Sequence, residues 1–170
     1  MRQFNTVLYK VQSPKNVGMM VRSHVAFGGE KFVFVGYDQP WDFKQGSQAF
    51  SRKLENQCEF LHFKTESEFF EWSRKENLQN FAVEINEQAS VLSKTIFESN
   101  CNLIVGSEKI GLPKEFVEQC DQVVVIPQFG NVACLNVSVS ASIVMYEFKR
   151  DQEMSLEITD SKFEIERIVS

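Results

Sequence analysis

The stretch "NLIVGSEKIGLPKEFVEQCDQVVVIP", residues 102–127, carries the pattern that sets the fold. An apolar run at 103–105 ends in Gly106, Pro113 opens a segment of helical character, and a second apolar run closes on Ile126 and Pro127. Strand, glycine turn, helix and strand in that order is the repeating unit of a parallel sheet. The same rhythm continues outward. "NTVLYK", "KFVFVG", "CEFLHF" and "NFAVEI" read as further strands, and helices are expected at about 15–28, 66–77, 113–120 and 135–150. The strands are apolar almost throughout rather than alternating, which suits a sheet covered on both faces. The expected fold class is therefore α/β, a mostly parallel sheet with helices on both faces.

The chain has 170 residues, about the length of one domain. Residues 1–150 read as that domain and 151–170 as an acidic C-terminal extension. "GYDQPWDFKQGSQAF", residues 36–50, is the longest irregular stretch and is expected to be a surface loop. No run approaches the ~18 apolar residues of a membrane span. The opening "MRQFNTVLYK" alternates like a strand and lacks the apolar segment of a signal peptide. A cytoplasmic protein with no membrane partner is expected. The four cysteines, Cys58, Cys101, Cys120 and Cys134, form no CxxC pair, and only two histidines, His24 and His62, are present. Free thiols and no metal site follow.

The net charge of −5 argues at first against a nucleic-acid partner, since phosphate binding wants surplus Lys and Arg. Its distribution changes that. Residues 1–64 hold nine Lys/Arg against five Asp/Glu (+4), residues 65–150 hold seven against twelve (−5), and 151–170 hold two against six (−4). A basic first third can meet phosphate while the remainder stays acidic; an uneven but solvated surface has the same composition.

In open α/β sheets ligands sit beyond the carboxyl ends of strands, and three loops there hold unusual residues. In "SPKNVGMMVRSHVAFGG" (13–29), Ser13 caps a helix and Pro14 opens its first turn. Val17, Met20, Val21, His24 and Val25 make its apolar stripe, with His24 read as a core residue. Lys15, Gly18, Met19 and Arg22 fall on the other side, and Gly18 is expected to leave room for a ligand to approach the Arg22 guanidinium. On these residues alone Arg22 also reads as a solvent-exposed helix arginine. The second loop, Gly106-Ser107-Glu108 with Gly111 after it, lets backbone pass close to a ligand. It matches neither a dinucleotide fingerprint nor a P-loop. The third, "NVACLNVSVSAS" (131–142), places Cys134 and Asn136 at a helix start followed by small residues, room for a second helix or a ligand.

Taken together and in order, the three loops resemble the SpoU (TrmH-like) branch of the SPOUT RNA methyltransferases. The first family motif is met by Asn16, Gly18, Arg22, Phe27 and Gly28; the second by Gly106, Ser107, Glu108, Gly111 and Leu112, then Ile126 and Pro127. The third is met by Leu135, Asn136, Val137 and Ser138, with Cys134 where serine is usual. The resemblance spans about residues 5 to 150. It implies a deep C-terminal trefoil knot, an exception to the rule that folds avoid threading. It further implies S-adenosyl-L-methionine held by Val83 or its neighbours, Gly106, Ile126 and Leu135, with Cys134 beside them. Arg22, Asn16, Glu108 and Asn136 would be the catalytic set. Arg22 would lie at the RNA phosphate and the attacking hydroxyl, the two asparagines would orient loop and substrate, and Glu108 would hold Arg22 or the loop. The implied partners are RNA and a second copy of the chain that completes the site. The length is most like that of the minimal tRNA ribose 2′-O-methyltransferases of this branch; an rRNA substrate, or a catalytically silent homologue that only binds cofactor or RNA, is the alternative.

Overall fold

The computed structural model describes residues 2–150, 152, 155–158 and 165–168. Seven strands form one sheet: β1 (Phe4–Tyr9), β2 (Lys31–Val35), β3 (Glu59–Phe63), β4 (Gln79–Val83), β5 (Ser90–Val91), β6 (Cys101–Val105) and β7 (Gln122–Val125). Their order is β3-β2-β1-β6-β4-β7-β5, and every pairing within it is parallel. The expected α/β class is what is found. Strands β8 (Ser155–Ile158) and β9 (Ile165–Ile168) pair antiparallel with each other. The rest of the expected acidic extension, 151–170, lies largely outside the described residues.

Both faces are covered because successive strand residues point to opposite sides. Phe4 and Leu8 of β1, with Phe32 and Phe34 of β2, join a core completed by α1 (Pro14–Ala26) and α5 (Val137–Lys149). Val7 and Tyr9, with Val33 and Val35, face the core under α3 (Glu66–Lys75) and the single turn α4 (Lys114–Val117). Thr65 and Glu68 close a capping box at the start of α3. Ser13 caps α1 as expected, its hydroxyl accepting from the Asn16 amide at 3.4 Å. His24 is a core residue, 1% exposed, with Nδ1 2.8 Å from Thr6 Oγ1. Burial pushes its pKa down to about 4.

At the amino ends of the strands three asparagines stand in register. Asn102 pairs with Asn5 on one side and Asn80 on the other. Asn5 Nδ2 donates to Asn102 Oδ1 at 2.9 Å, and Asn102 Nδ2 donates to Asn80 Oδ1 at 2.8 Å. All three are buried, so their amides satisfy one another where water cannot.

Residues 36–50, expected as a surface loop, are mostly exposed but more ordered than an irregular stretch. Trp41 stacks on Phe34 with ring centroids 5.6 Å apart, a 3-10 turn spans Phe43–Gln45, and α2 (Ser47–Ser51) follows. Gly18 does not open space beside Arg22. A Cβ there would meet Ser47 O and come within 2.7 Å of Phe50 Cβ and 2.9 Å of Ser51 N. The glycine is present because the backbone of α2 rests on α1 at that point. The helix expected at 113–120 is shorter than periodicity suggested, ending at Val117.

Candidate active site

The carboxyl ends of β4, β6 and β7 and the loop before α5 enclose a cavity of about 490 Å³. Val83, Gly106, Glu108, Ile126, Cys134, Leu135 and Asn136 all line it. They come from four separate segments of the chain, after β4, β6 and β7 and before α5, and the sheet order brings these together. The loop after β6 closes on itself. Ser107 and Gly111 exchange backbone hydrogen bonds of 3.2 and 2.9 Å, and a Cβ on Gly106 would come within 2.5 Å of Gly111 O and Leu112 N. Gly111 adopts φ +63, a conformation glycine takes without strain.

A chain of side-chain hydrogen bonds ties the three motif loops together. Glu108 Oε1 accepts from Ser13 N at 3.0 Å and from Asn16 Nδ2 at 2.9 Å, while its Oε2 accepts from Gln12 N at 3.0 Å. Asn16 Oδ1 then accepts from Asn136 Nδ2 at 3.2 Å. Asn136 Oδ1 in turn accepts from Ser138 N at 2.9 Å and caps α5. Burial pushes the Glu108 pKa up, but the hydrogen bonds from Gln12, Asn16 and Ser13 outweigh it and hold the carboxyl below its ordinary range.

Asn16 does not line the cavity itself; it is a buried bracket behind the rim. Arg22 stands apart. It is exposed on α1, makes no hydrogen bond or ion pair among the described residues, and does not line the cavity. Within one chain Glu108 bonds the start of α1 through Gln12, Ser13 and Asn16 and makes no hydrogen bond or ion pair to Arg22. The reason is angular: Asn16 and Arg22 are six residues apart, about 240° around an α-helix, and face different sides.

Two residues at this site escaped sequence reasoning. Glu84, just past β4, accepts from Leu112 N at 2.9 Å and so pins the far side of the glycine loop. Gln128 lines the cavity, and its Oε1 is buried with no hydrogen-bond partner among the described residues. No group of three or more His, Cys, Asp or Glu among the described residues could hold a metal ion. No helix among them is long and apolar enough to cross a membrane.

Residues 3–146 match the model of the SpoU rRNA Methylase family. The chain belongs to this family. It is 28% identical over 151 residues to the 23S rRNA (guanosine-2′-O-)-methyltransferase RlmB of Coxiella burnetii, a match covering 86% of this chain and 58% of that relative. Its fold superposes on the AdoMet-bound rRNA methyltransferase of Sinorhizobium meliloti with a TM-score of 0.82, at 22% identity, over 89% of this chain and 57% of the other. A structure solved to explain 2-OH methylation of C/U34 on tRNA aligns at TM-score 0.75 and 23% identity, over 88% of this chain and 95% of that one. At these identities the structural likeness is one of fold. The chain spans little more than half the length of the Coxiella and Sinorhizobium proteins. SpoU-family membership accounts for the order of the three motif loops and for the sheet that gathers them.

Proposed function

We propose that this protein is an S-adenosylmethionine-dependent RNA methyltransferase that methylates a ribose 2′-hydroxyl, acting on tRNA as a cytoplasmic homodimer. The observation that carries this reading is the Glu108–Asn16–Asn136 chain, which binds the three loops into one wall beside the cavity.

The cavity fits the cofactor. Its volume of about 490 Å³ falls within the usual range for small-molecule sites, roughly 300–1,000 Å³. Gly106, Ile126 and Leu135 line it, and the unpartnered Gln128 Oε1 offers an acceptor for an amino or hydroxyl donor. When bound, S-adenosylmethionine supplies an electrophilic methyl group. The protein's own residues must hold the ribose in line with it and exclude water. Arg22 positions the RNA phosphate and stabilises negative charge developing on the 2′-oxygen. A guanidinium has no acceptor atom, so the 2′-hydroxyl proton leaves to a phosphate oxygen of the bound RNA or to water. Glu108 and the two asparagines keep the loops in register and are positioning residues.

Because Arg22 lies off its own chain's cavity, the homodimer reading has it act at the cavity of the second copy. Support comes from the apolar side chains around it. Met19 of α1 and Val139 and Tyr146 of α5 are 38%, 42% and 57% exposed. The Ser23–Ser142 hydroxyl pair, 2.7 Å apart, and the edge-on Phe27–Tyr146 contact join the two helices between them. We also assign the trefoil knot to the segment between β6 and α5. That assignment rests on the family resemblance and on both loops of that segment reaching one cavity.

An rRNA substrate is the second reading, supported by the Coxiella relative. Titration calorimetry with S-adenosylmethionine, displaced by S-adenosylhomocysteine, tests the cofactor site. Labelled methyl transfer to separated tRNA and rRNA fractions tests the substrate. Absence of cofactor binding would overturn the proposal, and label confined to rRNA would replace tRNA with the second reading.

A further inference from the structure

The segment from Trp41 to Gln57 takes no part in the cavity above, yet it is built with care. Trp41 Nε1 donates to Ser47 Oγ at 2.9 Å, Ser47 and Ser51 are fully buried, and Ser51 Oγ donates to the buried Glu55. The effect is to fix α2 firmly across α1 at Gly18, one turn before Arg22.

On the outer side of this platform lies a second, open cavity of about 540 Å³ lined by Lys44, Gly46, Gln48, Ala49, Arg52 and Lys53. The three cations around this hollow belong to the basic first third of the chain. Among the described residues none of the three side chains makes a hydrogen bond or ion pair. The nearby carboxylates are engaged elsewhere. Asp42 accepts from the Lys44 amide at 3.0 Å and from Gln45 Nε2 at 3.2 Å, and Glu55 is 7% exposed and bonded to Ser51. Lys53 feels the Glu55 charge without touching it. Arg52 and Lys53 are moreover consecutive non-glycine residues in the left-handed region, φ 56 and 63. The cavity also borders the start of α1, where a Cβ on Gly46 would lie 3.4 Å from Pro14 Cβ.

We propose that this cavity is a second anchoring site for RNA, in which Lys44, Arg52 and Lys53 take backbone phosphodiesters while the ribose to be methylated lies at Arg22. The inference rests on the RNA-methyltransferase reading. Phosphate contacts of this kind set register and affinity without reading sequence. The site therefore acts on RNA binding and not on the methyl-transfer step.

The test compares the full chain with a triple variant, Lys44→Ala, Arg52→Gly and Lys53→Gly. Glycine accepts the positive φ, so the loop keeps its shape. A control variant, Arg74→Ala, Lys75→Ala and Lys94→Ala, removes the same charge elsewhere. RNA affinity by filter binding across a salt series, KM and kcat are measured for each. In the cavity variant the slope of log affinity against log salt falls in magnitude by roughly 2 to 3. KM for RNA rises about tenfold or more, while kcat and S-adenosylmethionine affinity stay within about twofold, as expected of sequence-independent positioning contacts. Unchanged slope and KM, or an equal loss in the control, would overturn the site. Pyrophosphate binding that depends on the three cations, with RNA binding unaffected, would assign the cavity to a free anion and overturn it too. If the wild type transfers no methyl group but binds RNA with a slope that depends on these cations, the anchoring site stands and the enzymatic reading fails.

Discussion

Asn16 Nδ2 lies 2.9 Å from Glu108 Oε1, a hydrogen bond between residues 92 positions apart that joins the start of α1 to the loop after β6. The same carboxylate accepts from two backbone amides, so Glu108→Ala strands three donors at once. A loss of about 1–3 kcal/mol in a denaturant titration is expected, with cofactor affinity falling as the loops part. The pH sign follows from the depressed carboxyl pKa. Its stabilisation is complete above the ordinary carboxylate range, near ~4.3, and is lost as pH falls through the lower folded value. Glu108→Gln should flatten that acid limb; an unchanged limb would assign it to other carboxylates.

His24 gives a second, separate acid limb. Its folded pKa of about 4 lies below the unfolded value because burial penalises the charged ring. The neutral ring is what the fold accepts, so this contribution is complete above ~6.5 and is lost as pH falls towards the folded pKa. Thermal unfolding followed from pH 7 to 4.5 should decline, and His24→Leu should reduce the slope between pH 6.5 and 4.5. A variant with the wild-type slope would show that the ring does not carry it.

Gly18→Ala sets two effects against each other. Alanine is the better helix former by about 1 kcal/mol. The added methyl, however, would press on Ser47 O and lie 2.7 Å from Phe50 Cβ. Overpacking against backbone costs about 1–3 kcal/mol, so the net change should be destabilising. A more stable variant by calorimetry would mean that α2 does not rest on α1 there.

Cys134 is the exposed member of four free thiols and lines the main cavity. Cys101 is buried, and burial pushes the thiol pKa of Cys58 to about 11 and of Cys120 to about 12. Alkylation by iodoacetamide should therefore modify one thiol rapidly, and saturating S-adenosylhomocysteine should slow it. Cys134→Ser should keep or raise activity, since a hydroxyl is the stronger hydrogen-bond partner. Modification insensitive to the ligand would place the ligand elsewhere.

The sequence and the structure agree where a pattern is local. Six strands of the seven-stranded sheet were legible because each is a short apolar run with flanking turn residues, and the α1 and α5 starts were legible from Ser13 and Asn136. The α2 platform was not. Five residues from Ser47 to Ser51 carry no helical period, and their order comes from Trp41 and from the missing side chain of Gly18. Glu84 reads as a solvent carboxylate at a strand end, and only the crossover that sets β4 beside β6 and β7 brings Leu112 N to it. The Asn5–Asn102–Asn80 row depends likewise on a register between strands distant in sequence.

The central claim is ribose methylation that depends on Arg22. Its most direct test is to incubate wild type and Arg22→Ala with methyl-labelled S-adenosylmethionine and tRNA, digest the product to nucleosides, and locate the label by mass spectrometry. The account predicts a 2′-O-methylnucleoside from the wild type and a loss of about 10²-fold or more in rate for the variant, with unchanged cofactor affinity because Arg22 acts on the RNA phosphate and the 2′-oxygen rather than on the cofactor. Label on a base, or full activity in Arg22→Ala, would contradict it.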